Sequence, residues 1–324
     1  MSQNRNLNAQ TSISSRDDRA LLATVARSYY LDDLSRIEIA ETLGISRFKV
    51  ARLLARARDE GVVTIEVNDR GLPDAALSTR LRDTLGLERC TVVRSHGDDD
   101  AVRLQIGGAA ASLLSETLRA DEVLGVSWGR TLTATTAQLQ QLPRVSIVQL
   151  TGVVAGDLSS SPVEVARQTS ARSGGDVYPI FAPLFVDDLE TANGLSRHPA
   201  IRAALDLFPA VTTAILSVGS WNPAESQVKD VLPIDALARA LAGGCVADIA
   251  GILIKNDGTP VDAELQARCI NISYEQLRNV PRVIAVAGGA AKAEAVAAVA
   301  RGKLITELVT DHPLAEAILA RDEA

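Results

Sequence analysis

From about residue 75 to the C-terminus, short apolar runs alternate with longer stretches of helical periodicity. The runs 90–94, 123–127, 145–150, 212–218, 283–287 and 305–309 read as strands. Helices are predicted over 101–118, 131–141, 234–242, 291–300 and 314–320. Strand, helix, strand at this repeat forces a parallel sheet covered on both faces, because each crossover helix must lie against the sheet it connects. The predicted fold is therefore a doubly wound, Rossmann-like α/β domain. Ligands in such domains sit at the carboxyl ends of the strands, near helix N-termini.

Three of the predicted strand ends carry glycine. In GVSWGRTL, Ser127, Gly129, Arg130 and Thr131 stand between a strand and a helix. Backbone amides, hydroxyls and a guanidinium there would cradle an anion. In SVGSW, Gly219 and Ser220 close a strand. In AVAGGAAKAEAV, Gly288 and Gly289 precede a helix that carries Lys292, one of five lysines in the chain. Each loop alone is compatible with a tight turn, and Lys292 with a solvent-facing side chain. Taken together they predict one pocket for a phosphorylated or carboxylated ligand. Asp248 lies in a stretch read as loop-rich and is the single general-base candidate, while NDG (256–258) signals a hairpin turn with Asp257 in it. Neither a P-loop nor a G-x-G-x-x-G fingerprint occurs, so no nucleotide cofactor is expected.

The N-terminal part has a different organisation. Residues 17–30 show helical spacing of Leu21, Leu22, Val25 and Tyr29. Ser35 and Glu38 form a predicted capping box for a helix over 37–43, which Gly44 ends. Ser46 caps a second helix running to about Glu60 and stopping at Gly61. Ala40 is small enough for a close helix crossing, and Val50 and Leu53 face back onto the first helix. Two helices joined by a short glycine turn make a helix-turn-helix, whose second helix enters the major groove. Ser46, Arg47, Phe48, Lys49 and Arg52 are left pointing outward, with donors for base edges or phosphates and a ring for a thymine methyl. Arg56 and Arg58 fit either phosphate contact or a solvated face. VVTIEV (62–67) predicts a strand, a small wing. The expected division is an arm over 1–16, a DNA-binding domain over 17–67, a linker over 68–74 and an effector domain over 75–324.

Charge agrees with that division. The chain carries a net charge of −7, which by itself disfavours nucleic acid. Residues 1–65, however, hold 10 basic and 8 acidic residues, and Thr42–Arg58 holds five basic residues and no acid. A basic stripe on an otherwise acidic chain suits double-stranded operator DNA as partner. The three cysteines and three histidines are scattered, which gives no pattern for a metal or a disulfide framework. With no run of 18 apolar residues and no apolar h-region at the start, a cytoplasmic chain without membrane contact is expected.

EIAETLGISRFKVARLLARARDEGVVTIEV, LGVSWGRTL, VQLTG, FAPLFVD, VGS, DIAG, NDGTPVD and EQLRNVPRVIAVAGGAAKAEAVAAVARGKLITELVTD occur in that order. In these segments the chain resembles the SorC family of sugar-responsive transcription regulators. The resemblance implies a winged helix-turn-helix, an effector domain similar to sugar-phosphate isomerases and deaminases, homo-oligomers on DNA, and a sugar, polyol or sugar-phosphate effector. It also implies ligand contacts at 127–131, Gly152, Asp248 and Lys292. After D-x-x-G many members carry two aromatics and an Asp; this chain has Leu253, Ile254 and Lys255. An altered sugar-facing end of the pocket is therefore expected. The competing reading is a sugar-phosphate isomerase or deaminase with an accessory DNA module.

Overall fold

The computed structural model describes residues 18–63, 71–154, 160–223 and 226–322. The chain divides into two compact units, 1–68 and 69–324. The predicted arm and most of the predicted wing strand lie outside the described residues.

Among the described residues the first unit holds three helices: α1 (18–30), α2 (Arg36–Leu43) and α3 (Arg47–Asp59). Local chemistry sets their ends. The Ser35 hydroxyl accepts from the Glu38 amide and the Glu38 carboxylate accepts from the Ser35 amide, closing the capping box. Gly44 takes a left-handed φ of 64° and turns the chain. Ser46 caps α3 by accepting from the Lys49 amide. Leu22, Val25 and Ala26 of α1, Ile39 and Ala40 of α2, and Val50, Leu53, Leu54 and Ala57 of α3 form one apolar core.

The second unit opens with α4 (Ala75–Leu85), β1 (Arg89–Val93), α5 (Asp99–Thr117), β2 (Val123–Val126), α6 (Arg130–Gln138), β3 (Ser146–Gln149), α7 (Pro162–Ser173) and β4 (Val177–Tyr178). It continues through α8 (Leu189–Arg197), α9 (Pro199–Leu205), β5 (Thr213–Ser220), α10 (Gln227–Val231), α11 (Ile234–Ala242), β6 (Cys245–Ile249) and β7 (Ile252–Lys255). The last elements are α12 (Ala263–Ala267), α13 (Tyr274–Arg278), β8 (Arg282–Val286), α14 (Ala293–Arg301), β9 (Glu307–Asp311) and α15 (His312–Asp322). Seven strands lie parallel in the order β1-β9-β8-β5-β2-β3-β4, and a β6–β7 hairpin joins the far end of β5 antiparallel.

Strand alternation builds the two layers. Val93, Ile147, Ile215, Ile284 and Val309 face a layer containing Ile106 of α5, Leu132 of α6 and Val165 of α7. Their neighbours Val92, Val148, Leu216, Ala285 and Leu308 face the other way, onto Leu77 and Leu81 of α4, Val296 of α14 and Leu314 of α15. The sheet is thus doubly wound, as the strand and helix repeat requires. At the amino end of the strands, Arg282 grips Glu307 through two nitrogens at 2.7 and 3.1 Å and donates to Thr117 at 2.7 Å.

Two sequence readings change here. The loop-rich stretch around Asp248 is the β6–β7 hairpin, turned by Ala250 and Gly251, both at positive φ. The NDG segment makes a second turn after β7, where Asp257 accepts from the Thr259 amide at 2.9 Å. Residues 71–74, read as the end of a linker, are fastened to β1. The Gly71 amide donates to Arg94, the Asp74 amide to Val92, and Arg94 back to Leu72. Among the described residues no helix is long and apolar enough to cross a membrane.

Candidate functional site

At the carboxyl end of the parallel strands lies a pocket of about 270 Å3. Five strands deliver its walls. The loop after β2 brings Ser127 to Thr131, and β5 brings Ser217 to Gly219. Gly288, Gly289 and Lys292 follow β8, Asp311 ends β9, and Asp99, Val102, Arg103 and Ile106 come from α5 after β1. The hairpin adds Asp248 and Ala250, and α10 adds Gln227.

The loop after β2 is shaped by Gly129. Its φ of 141° suits glycine, and a Cβ there would come within 2.9 Å of Ser217 Cβ. Gly129 is also the N-cap of α6 and offers no side chain to the first-turn amides. Those amides and the partial positive end of α6 therefore face the pocket beside the exposed Arg130. The Ser217 hydroxyl is buried and, among the described residues, has no hydrogen-bond partner.

The opposite wall is acidic and occupied. Asp248 is buried; it accepts from Trp221 Nε1 at 2.9 Å and from the Ser226 hydroxyl. Burial pushes its carboxyl above the usual range, and the two hydrogen bonds and Lys292 oppose that shift. Lys292 is half-buried and donates to the Val218 carbonyl at 2.9 Å. Asp311 accepts from the Gly289 amide at 3.0 Å and from the Leu314 amide at 3.2 Å, tying the glycine loop to the start of α15. Burial raises its carboxyl too, against those amide bonds. Three cations (Arg103, Arg130, Lys292) and three carboxylates (Asp99, Asp248, Asp311) thus share one pocket.

Of the sequence-predicted effector residues, the pocket brings together Ser127, Gly129, Arg130, Thr131, Gly219, Asp248, Gly288, Gly289 and Lys292. It leaves out Gly152 and Ser220. The Gly152 amide donates to the Ile270 carbonyl at 2.6 Å, and a Cβ there would lie 2.6 Å from the Pro183 carbonyl oxygen; this glycine lets two backbones pass. Ser220 belongs to β5, which runs two residues further than expected, so alternation turns it away from the face Gly219 presents. Leu253 and Ile254 are buried in β7, and with Lys255 they are absent from the pocket wall. Leu253 instead pairs with Asp248 across the hairpin and packs in one cluster with Trp128 and Trp221, behind the wall. Asp99, Arg103, Gln227 and Asp311 escaped the sequence reading because tertiary placement alone brings them here.

In the first unit, Ser46, Arg47, Phe48, Lys49 and Arg52 are all exposed, Phe48 to 73%. The Arg47 guanidinium stands 5.0 Å from the Phe48 ring centroid. Arg56 pairs with Asp18 at 3.0 Å and Glu60 at 2.8 Å, which assigns it to the module's own structure.

Known proteins resemble this chain in sequence and fold. The model of the Sugar-bind family ("Putative sugar-binding domain") matches residues 71–320. The chain is 30% identical over 315 residues to the uncharacterized transcriptional regulator YjhU of Escherichia coli (strain K12), covering 94% of this chain and 95% of that one. The chain belongs to the SorC family of sugar-binding transcriptional regulators. This SorC-family chain is also 30% identical over 315 residues to the transcriptional regulator LsrR of Klebsiella pneumoniae, covering 94% of each. Its fold matches the full-length sorbitol operon regulator SorC from Klebsiella pneumoniae with a TM-score of 0.70. That match has 24% identity and covers 94% of this chain and 99% of the other.

Proposed function

We propose that the chain controls a carbohydrate or polyol operon by binding operator DNA through α3, under the control of a phosphorylated sugar or polyol in the pocket. The carrying observation is the uncapped N-terminus of α6 beside Arg130, with the Ser217 hydroxyl, unpartnered among the described residues, against Gly129. A phosphate there would accept from the first-turn amides, the Thr131 hydroxyl and Arg130, and would sit in the positive field of the helix end. The sugar hydroxyls would then face Gln227, Asp248 and Lys292.

The DNA-binding surface is the exposed face Ser46–Arg52 of the first unit. One such helix reads only a few base pairs, so the working species is a homo-oligomer on a pseudo-palindromic operator in the cytoplasm. The pocket favours binding over turnover. Its two buried carboxylates, Asp248 and Asp311, are each held by two donors from the protein, which fixes them as parts of the pocket wall.

A route from the ligand to the DNA-binding unit runs through α5. Arg103 and Ile106 of α5 line the pocket. Gln105 between them donates to the His96 carbonyl at 2.9 Å, and a Cβ on Gly71 would rest 3.9 Å from Gln105 Cβ. Gly71 lies three residues beyond the end of the first unit in sequence.

Calorimetry on a matched sugar and sugar phosphate tests the reading. The phosphate ester should bind at least tenfold more tightly and should change operator affinity. Equal affinity for the two would refute the phosphorylated effector.

A further inference from the structure

The first turns of α5 hold an arginine that the proposed anion site does not yet use. Arg103 lines the same pocket as Arg130 and Thr131, and its side chain is 19% exposed. Its partners are Asp99, at 3.2 Å, and Asp100, at 2.5 Å, whose side chains are 90% and 88% exposed. A largely buried guanidinium is thus neutralised by two carboxylates that stand almost entirely in water.

The packing of α5 on α6 fixes where that guanidinium lies. A Cβ on Gly107 would come within 2.7 Å of the Ala134 carbonyl carbon and 2.8 Å of the Thr135 amide, so the two helices touch backbone to backbone there. Both helices leave the carboxyl ends of parallel strands and so run in the same direction. One turn back from the contact, on each helix, stand Arg103 and the pair Arg130–Thr131. The close crossing at Gly107 therefore sets Arg103 alongside the uncapped end of α6.

We propose that Arg103 is a second cationic contact for the effector's anionic group, paired with Asp99 and Asp100 and surrendered by them when a dianion binds. Pairs with such exposed carboxylates contribute little and are screened by salt, so Asp99 and Asp100 compete only weakly with a phosphate for the Arg103 guanidinium. Two guanidiniums match the two charges of a phosphate monoester, whereas a carboxylate would leave one of them over. The pocket is thereby selective for a dianion. This inference rests on the anion site proposed at the α6 terminus and adds a residue from a different helix.

The test measures the melting temperature of the full chain against inorganic phosphate, at constant ionic strength held with chloride, for wild type and variants. A ligand that binds the folded state raises the melting temperature with a half-effect set by its Kd. Wild type should respond, Arg130→Ala should lose the response, and Arg103→Ala should need at least tenfold more phosphate. Arg103→Lys keeps the charge and should fall between, and Asp99→Asn/Asp100→Asn should respond at lower phosphate than wild type. Acetate should give no comparable shift. If wild type and Arg130→Ala differ while Arg103→Ala responds like wild type, the Arg103 assignment is overturned and the α6 site stands. If wild type shows no response, both are overturned.

Discussion

Gly219 and Asp248 face each other across the β5–β6 ladder, and a Cβ at Gly219 would lie 2.7 Å from Asp248 Cγ. The carboxylate occupies the space a side chain would fill, and Trp221 and Ser226 hold it there. Gly219 does not need glycine for its backbone angles, so any cost of substitution comes from displacing Asp248. Gly219→Ala should destabilise the second unit by about 1–3 kcal/mol, the range for a disrupted buried polar contact. It should also weaken effector binding. Chemical denaturation in a double-mutant cycle with Asp248→Ala checks the cause. Additive effects of the two changes would disprove it.

The same carboxylate gives a pH signature. Burial raises the Asp248 pKa above its unfolded value. As pH climbs past the ordinary carboxylate range, the unfolded chain gives up this proton while the folded chain keeps it. Asp248 therefore makes stability fall with rising pH until the folded group ionises, after which the loss is constant. Asp248→Asn retains an acceptor for Trp221 and removes this dependence. Urea unfolding from pH 4 to pH 8 should show wild type losing stability relative to Asp248→Asn as pH rises. Parallel curves would mean that Asp248 titrates alike in both states.

How much of this was legible in the sequence depended on whether the determinant was local. Ser35 with Glu38, and Gly44, act within one turn, so α2 and its ends could be read directly. The parallel strands were legible because apolar runs of five residues have few other uses. The β6–β7 hairpin was not. Its turn puts a non-glycine residue, Ala250, at positive φ, and the NDG signal nearby drew attention to the wrong turn. The glycine loops located the pocket, but the two-residue extension of β5 misplaced Ser220. Arg103 carried no local signal at all, since only the crossing at Gly107 brings it to the site.

Recognition of DNA should depend on the residues left exposed at the start of α3. Arg47→Ala or Lys49→Ala should weaken operator binding at matched salt, by about 1–3 kcal/mol if a base contact is lost. A lost phosphate contact should instead lower the salt dependence by about one counterion. Arg56→Ala removes pairs with Asp18 and Glu60 within the module, and should leave the salt dependence unchanged. Electrophoretic titrations at several salt concentrations separate these outcomes. Wild-type binding by both Arg47→Ala and Lys49→Ala would remove α3 as the reading helix.

Transmission of the ligand signal should be separable from ligand binding at Gln105. Its side chain is used twice over on the far side of α5 from Arg103: Nε2 donates to the His96 and Ala101 carbonyls, each at 2.9 Å, and Oε1 accepts from the His96 amide at 3.2 Å. It thereby ties the loop after β1 to the helix that lines the pocket. Gly71 is hydrogen-bonded to Arg94 just after β1, and a Cβ added to it would meet the same side chain at 3.9 Å. A shift of the first turns of α5 on effector binding would reach residue 71 through these bonds. A ligand moves such an equilibrium only by its differential affinity for the two states, so loosening the link reduces the response without removing the site. Gln105→Ala should bind the effector within about threefold of wild type, a coupling energy under about 1 kcal/mol. Its operator affinity should change much less between ligand-free and ligand-saturated states. Fluorescence anisotropy on labelled operator, with and without saturating effector, measures the second quantity, and calorimetry the first. An unaltered effector response in Gln105→Ala would exclude this route and leave the signal to the hairpin side of the pocket, through Asp248 and α10.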